Sequence, residues 1–165
     1  MKIEEKDDRL VITDFDELEA YKIACKIEKD GIEFYKSLSE NTKDKSIEEK
    51  LRFLLGEEEK HLKFFSQCLD ELRQKKGDGF EEDDLLNYMD YGVFQPFANA
   101  KEKVIEKLDD VKKAIHLGIL IEDGSIKFYE ACKDKAHPEV KGELENIIEE
   151  ENKHRSLLEK IMKDL

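Results

Sequence analysis

No pair of cysteines in this chain stands at metal-knuckle spacing: Cys25, Cys68 and Cys132 are odd in number and far apart. That excludes a disulfide framework and a Cys-x-x-Cys ribbon, fits a reducing compartment, and leaves each thiol as a small buried hydrophobe. Long apolar runs are missing too. Nothing approaches the roughly 20 residues of a membrane span. The first residues, Met1 to Asp8, carry no apolar stretch of the signal-peptide kind, so a cytoplasmic location is expected. Nor is there any basic surplus: the formal net charge of −13 should repel nucleic acid and anionic membrane surfaces, and neither is expected as a partner. Gln and Asn are sparse beside 43% charged residues. That bias is seen in hyperthermophile proteomes, and it equally suits the solvated faces of long amphipathic helices.

What the chain does have is helical periodicity. Its 165 residues make one domain with ample length for a core. Residues 1–13 read as a polar arm with one short run, Leu10-Val11-Ile12. A first helix is expected to start over Asp14 to Glu17, where acidic residues suit the first turn, and to run to about Glu40. Ser46-Ile47-Glu48-Glu49 has the pattern of a capping box opening a second helix, which fades at Lys75-Lys76-Gly77. A third helix is centred on Ala114 to Cys132, and His137-Pro138 opens a fourth, since proline is tolerated in a first turn. The expectation is an all-α, antiparallel four-helix bundle. Residues 77–109 would form a long crossover between helices 2 and 3, with short helices inside it. The aromatic residues Tyr88, Tyr91, Phe94 and Phe97 of that segment would staple it to the bundle or take part in a dimer contact.

Each of the four helical patterns has a carboxylate in its apolar face. Around Glu28 stand Tyr21, Ala24, Cys25, Gly31, Ile32, Tyr35 and Leu38; around Glu122 stand Ala114, Ile115, Gly118, Ser125, Tyr129 and Cys132. The second and fourth patterns carry a Glu-x-x-His box instead. Glu58 and His61 fill a gap between Leu54 and Leu62, and Glu151 and His154 fill one between Ile148 and Leu158. Residues three apart share a helix face, so each Glu and His can share one metal ion. Glu57 and Glu150, four residues before the histidines, are rivals to Glu58 and Glu151, and three-residue spacing and apolar register favour the latter pair.

Four unpaired carboxylates cannot be buried together, because isolated interior charges cost many kcal/mol and like charges repel or take up protons. Two divalent cations would balance four glutamates, and two neutral imidazoles would complete the ligand set. A carboxylate and imidazole set without thiolate suits iron or manganese, and affinity alone does not exclude zinc. The rival reading, a bundle whose internal Glu and His pair without metal, leaves two carboxylates uncompensated.

The chain also repeats. Glu28 to Tyr35 resembles Glu122 to Tyr129 at an offset of 94 (122 minus 28), and the Glu-x-x-His boxes are offset by 93 (151 minus 58). Each half therefore reads as a helical hairpin.

Taken together, these motifs resemble the rubrerythrin branch of the ferritin-like di-iron carboxylate proteins, over roughly residues 14–163; the lone-Glu and Glu-x-x-His scheme is a general description of such bundles. The resemblance implies metal ligation by Glu28, Glu58, His61, Glu122, Glu151 and His154. It implies two iron ions as cofactor, with Glu58 and Glu151 bridging, Glu28 and Glu122 terminal, and one histidine on each ion. It further implies reaction with oxygen or peroxide, an external electron donor because no paired cysteines are present, and a homo-oligomer. Rubrerythrins usually carry a second glutamate three residues after the lone one of the third helix; here that residue is Ser125. Reduction of peroxide by their mechanism is thereby put in question, and a non-catalytic iron-binding or buffering module is the alternative. A storage cage is not expected, since ferritins usually add a short fifth helix.

Tyr35 and Tyr129, two turns beyond the lone glutamates, either donate to a ligand carboxylate or are core tyrosines bonded elsewhere. Of His116 and His137, one reads as a surface residue and the other as a helix-start residue.

Overall fold

The computed structural model describes residues 2–6, 9–76, 111–134 and 136–165. Two strands come first, β1 (Lys2–Lys6) and β2 (Arg9–Asp14), followed by four helices, α1 (Glu17–Asn41), α2 (Lys45–Lys76), α3 (Val111–Lys133) and α4 (Pro138–Asp164). The strands pair antiparallel, with Ile3 opposite Ile12 and a register shift between Lys2 and Ile3. The stretch read from sequence as a polar arm is thus a β-hairpin. Leu10-Val11-Ile12 lies in β2, as the strand preference of β-branched residues would have it.

Capping sets where the helices begin. The Glu19 N–H donates to Asp16 Oδ1 and the Asp16 N–H to Glu19 Oε2, both at 2.9 Å, a reciprocal box that satisfies two otherwise orphaned donors at the start of α1. For α2 the expected box at Ser46 gives way to Asp44, whose Oδ1 accepts from the N–H groups of Ser46 (2.8 Å) and Ile47 (3.1 Å). The helix starts at Lys45, so Ser46 is already inside it. His137 is the N-cap of α4, ahead of Pro138, and His116 is exposed, as expected of the two.

Contacts between the helices fix their directions. Gly31 faces Glu58 and Cys25 faces Ser66, so α1 and α2 are antiparallel. Gly118 faces Leu158 and Lys133 faces Glu145, so α3 and α4 are antiparallel as well. Tyr35 bonds Glu122 and Tyr129 bonds Glu28, which sets α1 against α3 in the same sense. It follows that α2 and α3 run parallel, with the end of one and the start of the other at opposite ends of the bundle. That is the topology a crossover serves. The expected crossover itself, with its short helices and aromatic cluster Tyr88, Tyr91, Phe94 and Phe97, lies outside the described residues.

The core is split in two. One apolar cluster gathers Tyr21, Ile23, Phe65, Tyr129, Leu144 and Ile147, and another gathers Tyr35, Leu38, Leu51, Leu54, Ile115 and Leu158. Between them all four helices contribute buried polar side chains. The hairpins close tightly at Gly118, where an added Cβ would lie 3.1 Å from Leu158 Cδ1 and 3.2 Å from Phe34 Cε1. Cys25 and Cys132 are buried and Cys68 is half-buried, all as free thiols. Among the described residues, no helix is long and apolar enough to cross a membrane.

Candidate metal centre

Six side chains fill the layer between the two apolar clusters: Glu28 (0% exposed), Glu122 and Glu151 (1% each), His61 and His154 (3% each) and Glu58 (4%). These are the six singled out from sequence. They arrive there because α1 and α3 each carry one glutamate mid-helix, while three-residue spacing on α2 and α4 turns each Glu and His to the same side.

Their ligand atoms form two groups, one of Glu28, Glu58, His61 and Glu151 and the other of Glu58, Glu122, Glu151 and His154, with the atoms of each group within 4.8 Å of one another. Glu58 and Glu151 belong to both. His61 Nδ1 lies 3.2 Å from Glu151 Oε1, 3.7 Å from Glu28 Oε2 and 4.0 Å from Glu58 Oε2. His154 Nδ1 lies 2.9 Å from Glu151 Oε2 and 3.5 Å from Glu58 Oε1. The two rings stack with centroids 5.7 Å apart.

Whether a cation fits can be tested on the orphaned atoms. Glu28 Oε2 and His61 Nδ1 are buried and make no hydrogen bond, which a folded protein rarely tolerates. Their separation of 3.7 Å is too long for a hydrogen bond. It is close to the spacing of two ligands that each lie about 2.0–2.2 Å from one ion. Like charges 4 Å apart cost about 4 kcal/mol even at an effective dielectric of 20. Four such carboxylates would therefore rival the 5–15 kcal/mol by which a whole domain is stable. The donor set is hard oxygen plus imidazole, without thiolate. The layer fits a carboxylate-linked pair of metal ions.

The protonation pattern points the same way. Burial pushes the Glu28 carboxyl well above the usual range, and the neighbouring Glu58 adds to it. Burial likewise raises Glu122, with Glu151 contributing. For the histidines burial opposes the charged ring, yet the carboxylates of Glu151 and Glu28 beside it carry His61 up to about 12, and those of Glu151 and Glu58 carry His154 to about 9. Burial would raise Glu151 too, but His154, His61 and Glu122 close around it outweigh that and hold it at about 2. Protons gather where cations are called for.

Both tyrosines reach the layer, in a crossed arrangement. Tyr35 on α1 donates to Glu122 Oε1 on α3, and Tyr129 on α3 donates to Glu28 Oε1 on α1. Of the two sequence readings, the donor role holds, with each phenol serving the other half's glutamate because α1 and α3 are antiparallel. Burial first, then the adjacent carboxylate, raises both phenols further, so they remain donors. Tyr129 is also stacked on Phe65 at 5.1 Å. Tyr35→Phe or Tyr129→Phe should lower the stability of the metal-free protein by about 1–3 kcal/mol, the cost of a buried acceptor left bare. Denaturant unfolding of each variant would measure it, and no loss would mean the phenols are packing only.

Of the rivals Glu57 and Glu150, neither belongs to a ligand group. Glu57 pairs with Lys60 at 2.6 Å, while Glu150 Oε2 sits 3.0 Å from His61 Nε2, the ring nitrogen facing away from the cluster. This last contact was not legible in the sequence, because it joins the two hairpins. Ser125 is buried with its Oγ donating to the Ile121 carbonyl at 3.2 Å, so its hydroxyl proton is committed to its own helix. A cleft between α1, α2 and α4, about 290 Å³ and lined by Glu17, Tyr21, Cys68 and His137 among others, contains none of the six.

Nothing among curated proteins or solved structures matches the chain. The rubrerythrin family model matches residues 19–162, which takes in all six cluster residues and all of the four helices but the first two residues of α1 and the last two of α4. The chain belongs to the rubrerythrin family.

Proposed function

We propose that the protein is a non-haem di-iron carboxylate protein that reacts with oxygen or peroxide, oxidising iron or reducing peroxide. Supporting this reading is one observation above the rest: Glu58 and Glu151 are common to both ligand groups, as carboxylates linking two ions must be. Glu58 and Glu151 would bridge, Glu28 and Glu122 would each bind one ion, and His61 and His154 would each cap one. The chemistry that such a pair supplies when bound is the passage of electrons to oxygen or peroxide, which none of these side chains can do unaided. The protein's own part is to hold the ligands in place. Tyr35 and Tyr129 fix the terminal carboxylates by hydrogen bonds, and the apolar clusters on either side keep bulk water out, which strengthens every charge interaction within. Manganese or zinc would satisfy the same donors. A separate protein would deliver electrons, the site of action would be the cytoplasm, and the working form would be a homo-oligomer.

One observation favours the alternative, a non-catalytic iron-binding or buffering module: Ser125 is tied to its own helix where a further carboxylate could have answered a change in metal charge. Two measurements separate the readings. Elemental analysis of anaerobically purified protein gives metal identity and stoichiometry, with two irons per chain expected. Ferrous protein is then mixed with peroxide and an excess of reductant. Repeated turnover is the expected result, whereas a single stoichiometric oxidation, or none, favours buffering.

A further inference from the structure

We propose that Glu150 is a positioning residue for His61, and that it makes the two metal positions unequal, the one at His61 and Glu28 filling first. The inference rests on the two-metal reading above and adds an order to it. His61 presents Nδ1 to Glu28, Glu58 and Glu151, and its other nitrogen, Nε2, lies 3.0 Å from Glu150 Oε2. A ring that gives its Nε2–H to a carboxylate is held in one tautomer, with the Nδ1 lone pair available to a cation and the ring plane fixed. The same donation makes the ligating nitrogen a stronger base.

The internal repeat supplies its own control. The residue of the first half that corresponds to Glu150 is Glu57, and the histidine it would serve is His154. Glu57 is engaged elsewhere, bound to Lys60 at 2.6 Å. Among the described residues, no carboxylate stands against the outer nitrogen of His154, whose recorded partners are Glu151 and Glu58 within the cluster. A repeat that is matched in all six cluster residues is thus broken at the histidine support. The exposure of the two glutamates differs as well: Glu150 is 42% exposed at its side chain and Glu57 15%, so Glu150 connects a buried ring to solvent. A cation arriving in the layer meets one preset histidine and one held by packing and the cluster alone, and the preset one binds first.

The test uses zinc, which is redox-silent and suits carboxylate and imidazole donors. Metal-free full-length protein is titrated with Zn(II) in a calorimeter, and two steps of unequal affinity are expected. In Glu150→Ala the tighter step should weaken 10- to 100-fold, the usual loss when such a support is removed, and the weaker step should not change. Glu150→Gln keeps an acceptor oxygen and should recover most of the loss, while Glu57→Ala should leave both steps as they are. A purely structural role is separated by nitrogen NMR of the zinc-loaded protein, where His61 should carry its proton on Nε2 in the parent and lose that fixed tautomer in Glu150→Ala. Equal weakening of both steps, no weakening of either, or the same loss in Glu57→Ala overturns the proposal. Uptake of no zinc at all would overturn the two-metal reading itself, and this inference with it.

Discussion

Uptake of two divalent cations by the metal-free protein near neutral pH is expected to release up to four protons, one each from Glu28, Glu122, His61 and His154. All four hold protons above their ordinary ranges, the carboxyls because they are buried among other carboxylates and the histidines because carboxylates surround them. Four protons carry the charge of two divalent ions, so the exchange leaves the layer's net charge unchanged. The effect of pH follows in sign. Each histidine has a folded value above its unfolded 6.5, so its contribution to stability is complete below 6.5. For His154 that contribution fades as pH rises toward about 9, and for His61 toward about 12. Over that window the metal-free protein should lose on the order of 1.4 kcal/mol per pH unit per histidine. The raised Glu28 and Glu122 act in the same direction from above the usual carboxylate range. Metal affinity runs the other way and rises with pH, since fewer protons need displacing. The melting-temperature gain on adding Zn(II) should therefore widen steadily between pH 6 and 8. Calorimetry in buffers of different ionisation enthalpy counts the protons, and ion binding without proton release would refute this account of the layer.

Glu151 is the residue whose loss should do most harm. It stands in both ligand groups and contacts both histidines, His61 at 3.2 Å and His154 at 2.9 Å. Glu151→Ala should abolish tight binding of both ions. It should also destabilise the metal-free protein by about 3–5 kcal/mol, because two buried imidazolium rings lose their shared counter-charge. Against a domain stability of about 5–15 kcal/mol that is close to unfolding. Glu151→Gln, nearly isosteric, keeps the packing and isolates the charge. Glu122→Ala is the contrast, since Glu122 enters one group only and one ion should remain. Metal content per chain, with thermal unfolding of each variant, distinguishes the cases. Two ions retained in Glu151→Gln would remove the shared carboxylate from the site.

The site was legible in the sequence to an unusual degree because helical spacing is a local rule. Glu58 with His61 and Glu151 with His154 lie three apart inside apolar stripes, and no folding is needed to see that each pair shares a face. Glu28 and Glu122 stood out for a related reason, as single charged residues on helix faces that are otherwise uncharged. Helix starts were less secure. Asp44 displaced Ser46 as the cap of α2 because either side chain can accept from the N–H groups two and three residues on, and the point at which the backbone turns helical chooses between them. The hairpin of β1 and β2 was read as an arm, since pairing between strands is a contact that a single short apolar run does not announce.

By itself, then, the sequence determined the four helices, their buried faces and the identity of the six polar residues on those faces. All of that follows from which side chains recur each turn and from the cost of burying charge. Only the tertiary structure decided what those residues meet: that Tyr35 serves Glu122 and Tyr129 serves Glu28, that Glu58 and Glu151 stand in both groups, and that Glu150 leans on His61 while Glu57 turns to Lys60. These are contacts between residues up to 101 positions apart. Their partners are chosen by the antiparallel register of packed helices, a property no single helix possesses.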